Sequence, residues 1–366
     1  MNTRLFLDIQ AIQTVPPCNM NRDDAGSPKT AQYGGVTRTR VSSQCWKHSM
    51  REYFKEHSGD SNVGVRSKNI VKYVADKIVT LKPELSEQEA LDLANKTLNN
   101  AGVKTKTDKD ETVPTAKALF FLGEIQANAL AQAAINDVTD KKQLQEILKD
   151  NPAIDIALFG RMLADDPSLN EDASSQVAHA ISTHAVRAEF DYYTAVDDLS
   201  PDDNAGAGML GTIEYNSSTL YRYANVAVHE LVHQLDDNKE STINALKLFI
   251  EAFTNAMPTG KVNTFANQTL PQMLVVTLRD DRPVNLVSAF EDPVKAKGGY
   301  VSKSIEKLSQ EYEKVQKFVH KPLASFYVTM DSSNEEIKLG VEEQSMQQLL
   351  NDFSAKVTEL LQQIPQ

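Results

Sequence analysis

Three features of the sequence predict an α+β fold that is interrupted by a long helical insertion. Residues 4–14 are compact, apolar and partly alternating, a pattern typical of a β-strand. Residues 65 to about 182 have a mostly helical pattern and contain no strong strand signal. Strand-like runs then alternate with helical ones towards the last residues. This order of elements indicates an α+β core with long excursions.

The elements nearest the first residues form a strand, a turn and a helix. After the first strand comes a loop rich in proline, asparagine and aspartate, and the glycine pair at 34–35 marks a turn. Val36–Val41 is short and β-branched, so we expect a strand that carries two arginines on one face. Ser42 or Ser43 is a suitable N-cap for a helix that ends near His57.

The spacing of apolar residues and the helix-capping residues predict the helical block and the elements after it. An apolar stripe predicts the first helix of the block: Ile70, Val74, Ile78 and Leu81. Ser86 and Glu89 form a capping box, and the Ala- and Leu-rich stretch 116–135 predicts another helix. The glycine-rich stretch 191–219 is loop-like. Later strands are expected at Leu220–Val228, Gln272–Leu278 and Leu323–Met330, and helices at about 236–257, 300–319 and 340–363.

Composition excludes several classes of protein. The 366 residues are 41% hydrophobic and 24% charged, which is ordinary for a globular protein. No apolar run approaches about 18 residues, so no transmembrane helix is expected. The first residues lack the apolar core of a signal peptide, and two cysteines cannot form a disulfide framework. We therefore expect a cytoplasmic protein.

Charge is unevenly placed along the chain. The formal net charge of −12 argues against nucleic acid as a ligand, but only the charge within about one Debye length of a phosphate matters. From Ala25 to Arg51 there is no Asp or Glu. The same segment holds five basic residues: Lys29, Arg38, Arg40, Lys47 and Arg51. This segment is the first candidate for an anion-binding surface.

On the helix predicted after Ser42, three polar side chains share one face. Gln44, Lys47 and Arg51 lie at i, i+3 and i+7, and the helix start offers free N–H groups to an anion. Together these groups could grip a phosphate backbone without reading its sequence. The alternative is a solvated basic face on an amphipathic helix, and spacing alone leaves the two interpretations about equal.

Ordered motifs run through most of the chain. Near the first residues are Asn21-Arg-Asp-Asp24, the glycine pair and Arg38-x-Arg-Val-Ser-Ser-Gln-x-x-Lys-x-x-x-Arg51. Further motifs follow: Asp155–Met162, Ala178–His184, Asp191–Asp198, Tyr221–Asn225 and Val294–Lys297. Over about residues 4–300 this series resembles the CasC family, the crRNA-binding backbone subunit of type I-E CRISPR Cascade. The least matched parts are 57–112 and the C-terminal tail.

The resemblance implies an RRM-like (ferredoxin-like) core with a large helical fingers insertion, a thumb β-hairpin and a web. Residues 1–57 and 183–366 would form the palm and web core, 58–182 the fingers and about 190–219 the thumb. The implied subunit is not an enzyme and needs no cofactor or metal. About six copies would stack along the crRNA spacer and present it for pairing with the target DNA strand in antiviral defence. Other implied partners are the large, small and crRNA-end-binding Cascade subunits.

The resemblance also assigns RNA contacts residue by residue. They carry over to the palm at Arg22, Lys29, Ser42, Gln44, Lys47, His48 and Arg51, to the fingers at Arg161 and Met162, and to the thumb base at Tyr192, Tyr193 and Thr194. A methionine or an aromatic ring can wedge against or stack on splayed bases. For Met162 and Tyr193, ordinary core packing is the alternative. The sequence departs from the family at His48, where a basic residue is usual, and at Tyr192, where tryptophan is usual.

A zinc metalloprotease is the main rival interpretation. His229-Glu-Leu-Val-His233 matches the H-E-x-x-H pattern, which on a helix places two histidines one turn apart with Glu230 as general base. Glu251 could supply a third ligand. The motif directly follows a strand-like run, and Asp236 soon ends any helix, so the match is weak.

Two further alternatives belong to other classes. Asp197 and Asp198 could be a nuclease carboxylate pair, although two acidic residues in a solvated loop are the simpler interpretation. A purely structural filament protein would show no salt-sensitive RNA binding, which distinguishes it from the RNA-binding interpretation.

Overall fold

The computed structural model describes residues 4–59, 62–107, 112–163, 166–194, 210–331 and 337–363. Within these ranges the strands are β1 (Phe6–Cys18), β2 (Thr30–Tyr33), β3 (Val36–Val41), β4 (Gly64–Ser67), β5 (Thr105–Lys106), β6 (Thr115–Ala116), β7 (Phe120–Gly123), β8 (Ser175–Val177), β9 (Ala180–Ser182), β10 (Glu189–Thr194), β11 (Leu210–Ala227), β12 (Pro271–Arg279), β13 (Ala324–Thr329) and β14 (Val341–Glu342). The helices are α1 (Ser43–His57), α2 (Ile70–Leu81), α3 (Glu87–Ala101), α4 (Glu124–Ile135), α5 (Lys141–Lys149), α6 (Ile154–Phe159), α7 (Val228–Gln234), α8 (Lys239–Asn255), α9 (Val262–Phe265), α10 (Val301–Val315) and α11 (Met346–Gln362). The α+β class expected from the sequence is confirmed.

The chain divides into two compact units. Unit 1 consists of Met1–Met50, Val177–Asn225 and Phe249–Gln366. Unit 2 consists of Arg51–Gln176 and Val226–Leu248. None of the helices in the described part of the chain is long and apolar enough to cross a membrane.

Unit 1 is built on a large mixed sheet with the strand order β14-β13-β12-β1-β11-β9-β3-β2. β1 lies inside it and pairs antiparallel with β12, for example Ile9 with Val276. Nearly every residue of β1 is buried, including the polar Asp8, Gln10 and Gln13, so this strand is covered on both faces of the sheet. Helix α10 packs on the sheet through Ile305 and Leu308, which join a cluster that includes Phe290.

Unit 2 has a helical core formed by α2, α3, α4 and α5. The predicted capping box is confirmed, since Ser86 Oγ accepts a hydrogen bond from Glu89 N and the Glu89 carboxylate accepts one from Ser86 N. The α2 stripe is buried except for its last member, because Leu81 is half exposed at the end of the helix.

The expectation that residues 65 to about 182 contain no strong strand is wrong, because β4, β5, β6, β7, β8 and β9 all lie within this block or at its start. β4 and β7 form an antiparallel ladder, with Val65 opposite Leu122. The stretch 116–135 therefore divides into β7, whose four residues are all buried, and helix α4. Buried strands and buried helix segments look alike in a short apolar run such as Phe120–Gly123, so periodicity could not separate them.

Candidate functional site

The connection between β1 and β2, residues 19–29, is fastened to the start of α1. Asn21 Oδ1 accepts a hydrogen bond of 2.8 Å from Ser42 N, and Asn21 O accepts one of 2.9 Å from Lys29 N. The Lys29 carbonyl in turn accepts from Arg40 N at 2.9 Å. Arg22 lies exposed on this connection, opposite Pro28 in an isolated bridge. The structure thus brings together three predicted contact residues, Arg22, Lys29 and Ser42.

Helix α1 carries the remaining predicted residues of the palm in unit 1. Ser42 is buried, and its hydroxyl accepts a hydrogen bond of 3.4 Å from Cys45 N, so it caps the helix as expected. Gln44 and His48 are exposed on α1, and Lys47 is half-buried. The described helix runs from Ser43 to His57, which confirms the predicted element.

The opposite face of α1 packs on a buried arginine. The guanidinium carbon of Arg222 lies 3.7 Å from the centroid of the Trp46 ring and 4.3 Å from that of Phe253. Arg222 donates to the side chain of Gln13 and to the Phe253 carbonyl. Burial lowers the pKa of Arg222 to about 9. This stack holds the buried face of the helix against the sheet, while Gln44 and His48 face solvent.

Beside the start of α1 lies a cluster of Lys29, Arg40 and His179, which we call the basic cluster. Arg40 Nε donates to the Thr30 carbonyl at 3.1 Å, and Arg40 Nη1 lies 3.1 Å from His179 Nδ1. Burial, Arg40 and Lys29 all lower the pKa of His179, in that order of effect. The sequence interpretation did not assign Arg40 or His179 as contact residues. The histidine in the 178–184 motif was a signal, but only the pairing of β3 with β9 places it next to Arg40.

A two-stranded arm leaves the sheet of unit 1 where β10 pairs antiparallel with the first third of β11, Leu210 to Tyr215. The stretch 191–219 is therefore not simply a loop; its β-branched and aromatic residues favour strands. Tyr192, Tyr193 and Thr194 are all exposed on β10, and so is Phe190, which the sequence interpretation missed. Residues 195–209, with Asp197 and Asp198, lie outside the described residues.

Two contacts stabilise the arm. The end of the Tyr193 ring lies against Gly211, its partner in the strand register, where an added Cβ would come within 2.4 Å of the ring, so a larger residue at this position would displace the exposed tyrosine. Asn19 Nδ2 donates to the carbonyls of Gly26 and Glu214, both at 2.9 Å. Asn19 therefore ties the β1–β2 connection to the base of the arm.

Arg51, the last palm residue predicted, belongs to unit 2. Its guanidinium lies over the Phe121 ring at 5.9 Å, and burial lowers its pKa, with a further contribution from the like charge of Arg66. The neighbouring acid is Asp155, a buried carboxyl that accepts a hydrogen bond of 2.8 Å from Gly64 N. Burial raises the pKa of Asp155 to about 7.

Arg161 and Met162 are adjacent in sequence but differ in exposure. Arg161 is 3% exposed and donates to the carbonyls of Leu169, Leu148 and Phe121 at 3.0, 2.8 and 3.4 Å. Met162 is 82% exposed. The buried guanidinium fixes the backbone from which the methionine projects. The side chain of Arg161 can therefore support the predicted RNA contact only indirectly, by positioning Met162.

The H-E-x-x-H motif lies on the seven-residue helix α7. His229 Nε2 is 3.7 Å from Glu230 Oε1. Among the residues that the structure describes, no group of three or more His, Cys, Asp or Glu side chains is placed to hold a metal ion. The geometry offers no observation in favour of the protease interpretation.

The chain matches the model of the family described as CT1975-like protein over residues 7–352. It belongs to this family. Two solved structures are similar along nearly the whole chain. A chain of a structure named "CRISPR RNA-guided surveillance complex, pre-nicking" is 31% identical with a TM-score of 0.87, and the match covers 96% of this chain and 100% of that one. A chain of a "CRISPR RNA-guided surveillance complex" is 28% identical with a TM-score of 0.77, covering 96% of this chain and 99% of that one. No curated protein matches this chain.

Proposed function

We propose that this protein is the crRNA-binding backbone subunit of a type I-E CRISPR surveillance complex (Cascade). The observation that carries the proposal is the likeness to a chain of an RNA-guided CRISPR surveillance complex, at 31% identity and along the full length of that chain. The family match over residues 7–352 supports it independently.

The geometry of unit 1 suits the grip of an RNA backbone. Helix α1 begins beside the basic cluster, and its first turn offers backbone N–H groups and the positive end of the helix dipole. Gln44, Lys47 and His48 extend along the helix. Cations and amide donors of this kind hold phosphates and fix the position of a strand, but they do not read its sequence. The sequence would be read by pairing between the guide and the target DNA strand.

The proposal assigns the arm and Met162 to the bases. Exposed aromatic rings on β10 and the exposed methionine are side chains that can stack on or wedge against splayed bases. We propose further that residues 58–182 act as fingers and about 190–219 as a thumb on an RRM-like core formed by 1–57 and 183–366. About six copies would line the crRNA spacer together with the other Cascade subunits. In this role the chain binds and positions RNA without catalysis.

The test is the salt dependence of RNA binding. The protein is expressed with a CRISPR array, and bound RNA is extracted and sequenced; binding of labelled single-stranded RNA is then measured against salt concentration. The double substitution Lys47→Ala plus Arg51→Ala is expected to lower the slope of log affinity against log salt by about 1.4, because each phosphate contact on a single strand contributes about 0.7. Lys314→Ala plus Lys317→Ala, two exposed lysines at the end of α10 and just after it, removes the same charge outside the predicted surface.

The possible results distinguish a wrong palm assignment from a wrong proposed function. The control variant is expected to bind like the wild type. If the Lys47 and Arg51 double variant binds as tightly as wild type at about 150 mM salt, the palm assignment is wrong. If the purified protein carries no array-derived RNA and binds none in solution, the proposed function is wrong.

A further inference from the structure

The basic cluster contains a histidine whose tautomer is set by its neighbour. A guanidinium has only N–H donors, so in the 3.1 Å contact between Arg40 Nη1 and His179 Nδ1 the histidine nitrogen must accept. A neutral imidazole that accepts at Nδ1 carries its proton at Nε2. His179 is exposed, so this Nε2–H is a hydrogen-bond donor at the protein surface.

The charges that face His179 are both positive. Lys29 comes from the β1–β2 connection and Arg40 from β3, and the two are adjacent because Arg40 N donates to the Lys29 carbonyl. No acidic group acts on His179 among the described residues, and burial and both cations lower its pKa. Two cations and an exposed N–H donor therefore meet at one place, which is the character of an anion site.

The cluster is also continuous with the proposed grip. β3 and β9 are antiparallel with Val41 opposite Ala180, and the next pair in this register is Ser42 with His179. His179 therefore lies across from the cap residue of α1. A strand of RNA that reached the helix start would pass the cluster.

We propose that His179 completes a phosphate-binding subsite with Lys29 and Arg40, in which Nε2–H donates to a phosphodiester oxygen of the RNA and binding is coupled to protonation of the ring. The inference rests on the proposed function, since it specifies a contact of the same RNA. When a phosphate enters, its negative charge offsets the two cations and raises the pKa of His179. Protonation at Nδ1 then releases Arg40 Nη1, which donates to the phosphate instead. Each occupied subsite takes up at most one proton, carried by the imidazole.

The coupling of RNA binding to protonation predicts the direction in which RNA affinity changes with pH. Because the bound state holds the proton more tightly than the free state, affinity for RNA rises as the pH falls through the pKa of His179. The gain reaches about tenfold for each pKa unit by which the phosphate raises that value.

The experiment measures binding of labelled single-stranded RNA between about pH 5 and 8, in a His48→Gln parent that removes the other histidine from the predicted palm. His179→Gln in this parent keeps an N–H donor but cannot titrate, so its affinity is expected to vary little with pH. His320→Gln removes an exposed histidine outside the predicted surface and is expected to keep the pH dependence of the parent. Calorimetry in two buffers of different ionisation enthalpy is expected to show proton uptake on binding in the parent and less in the His179 variant.

Arg40→Gln provides a second, independent variant. It removes one of the cations that lower the pKa of His179, so the midpoint of the pH dependence is expected to move to higher pH. If His179→Gln keeps the affinity and pH dependence of its parent, or if Arg40→Gln leaves the midpoint unchanged, the inference is overturned while the proposed function stands. If the wild-type protein binds no RNA at any pH, both are overturned.

Discussion

The turn between β2 and β3 allows a sharp test of how the candidate site is supported. Gly34 and Gly35 both have positive φ angles, of 58° and 75°. A Cβ added to Gly34 would lie 1.6 Å from the carbonyl oxygen of Glu291, whereas a Cβ added to Gly35 would have nothing within 4 Å. The two glycines therefore form a matched pair, in which only the first makes a close backbone approach.

The expected losses of stability for an alanine at each position follow from this difference. A side chain in the left-handed region costs about 1–2 kcal/mol at either position. At Gly34 the Cβ must also move from 1.6 Å to the 3.4 Å of ordinary contact, a displacement of 1.8 Å against a main-chain oxygen. Forcing extra volume into a packed site adds about 1–3 kcal/mol. We expect Gly35→Ala to cost about 1–2 kcal/mol and Gly34→Ala about 2–5 kcal/mol.

The assay is thermal and urea unfolding of both variants, followed by circular dichroism. For a unit of this size each kcal/mol corresponds to about 2–4 °C in apparent Tm. RNA affinity provides a second readout, since Arg38 in the strand after the turn donates to the Phe290 carbonyl at 2.7 Å and links β3 to the segment that Gly34 touches. Equal losses of stability in the two variants would show that the close approach to Glu291 does not constrain the turn.

Three other predictions concern buried groups. Arg161→Met is expected to lower stability by about 3 kcal/mol, since it leaves three carbonyls without their charged donor; a loss below about 1 kcal/mol in urea unfolding would contradict this. His184 Nε2 accepts a hydrogen bond of 3.0 Å from Thr219 N, and burial lowers the pKa of His184. The folded state therefore favours the neutral ring. This contribution to the free energy of unfolding is fully present above about pH 6.5 and is lost as the pH falls through the pKa of His184 in the folded state. His184→Gln is expected to flatten the dependence of stability on pH in this range, as measured by unfolding curves at a series of pH values. Arg222→Met is expected to change the emission of Trp46, the single tryptophan, and unchanged spectra would show that the stack does not form in solution.

Local signals were sufficient for the elements nearest the site. The β-branched run at Val36–Val41 and the serine after it predicted β3 and α1 at almost the observed bounds. These elements are specified by neighbouring residues, through β propensity and a side chain that caps the helix. The same holds for the capping box of α3.

The parts that could not be predicted depend on long-range pairing or on burial. β7 forms a strand because Leu122 pairs with Val65, which is distant in sequence. His179 becomes a candidate because β9 lies beside β3. Arg161 and Arg51 are both arginines of family-like motifs in the sequence, yet the Arg161 guanidinium is enclosed by carbonyls and the Arg51 guanidinium lies over an aromatic ring. A sequence shows that a cation is present, but not whether water or protein surrounds it.

The arginine behind α1 has a consequence for affinity. Its described partners are two aromatic rings, an amide side chain and a carbonyl, all of them neutral. Because burial only brings its pKa to about 9, Arg222 is still charged at neutral pH. A helix is about 10 Å across, so an RNA strand on the outer face of α1 would lie roughly that far from an interior positive charge. The Debye length is about 8 Å at 0.15 M salt, so a phosphate at that separation feels the charge of Arg222 only weakly. We therefore expect Arg222 to add a long-range attraction for RNA that is lost at a lower salt concentration than the direct contacts of the surface cations.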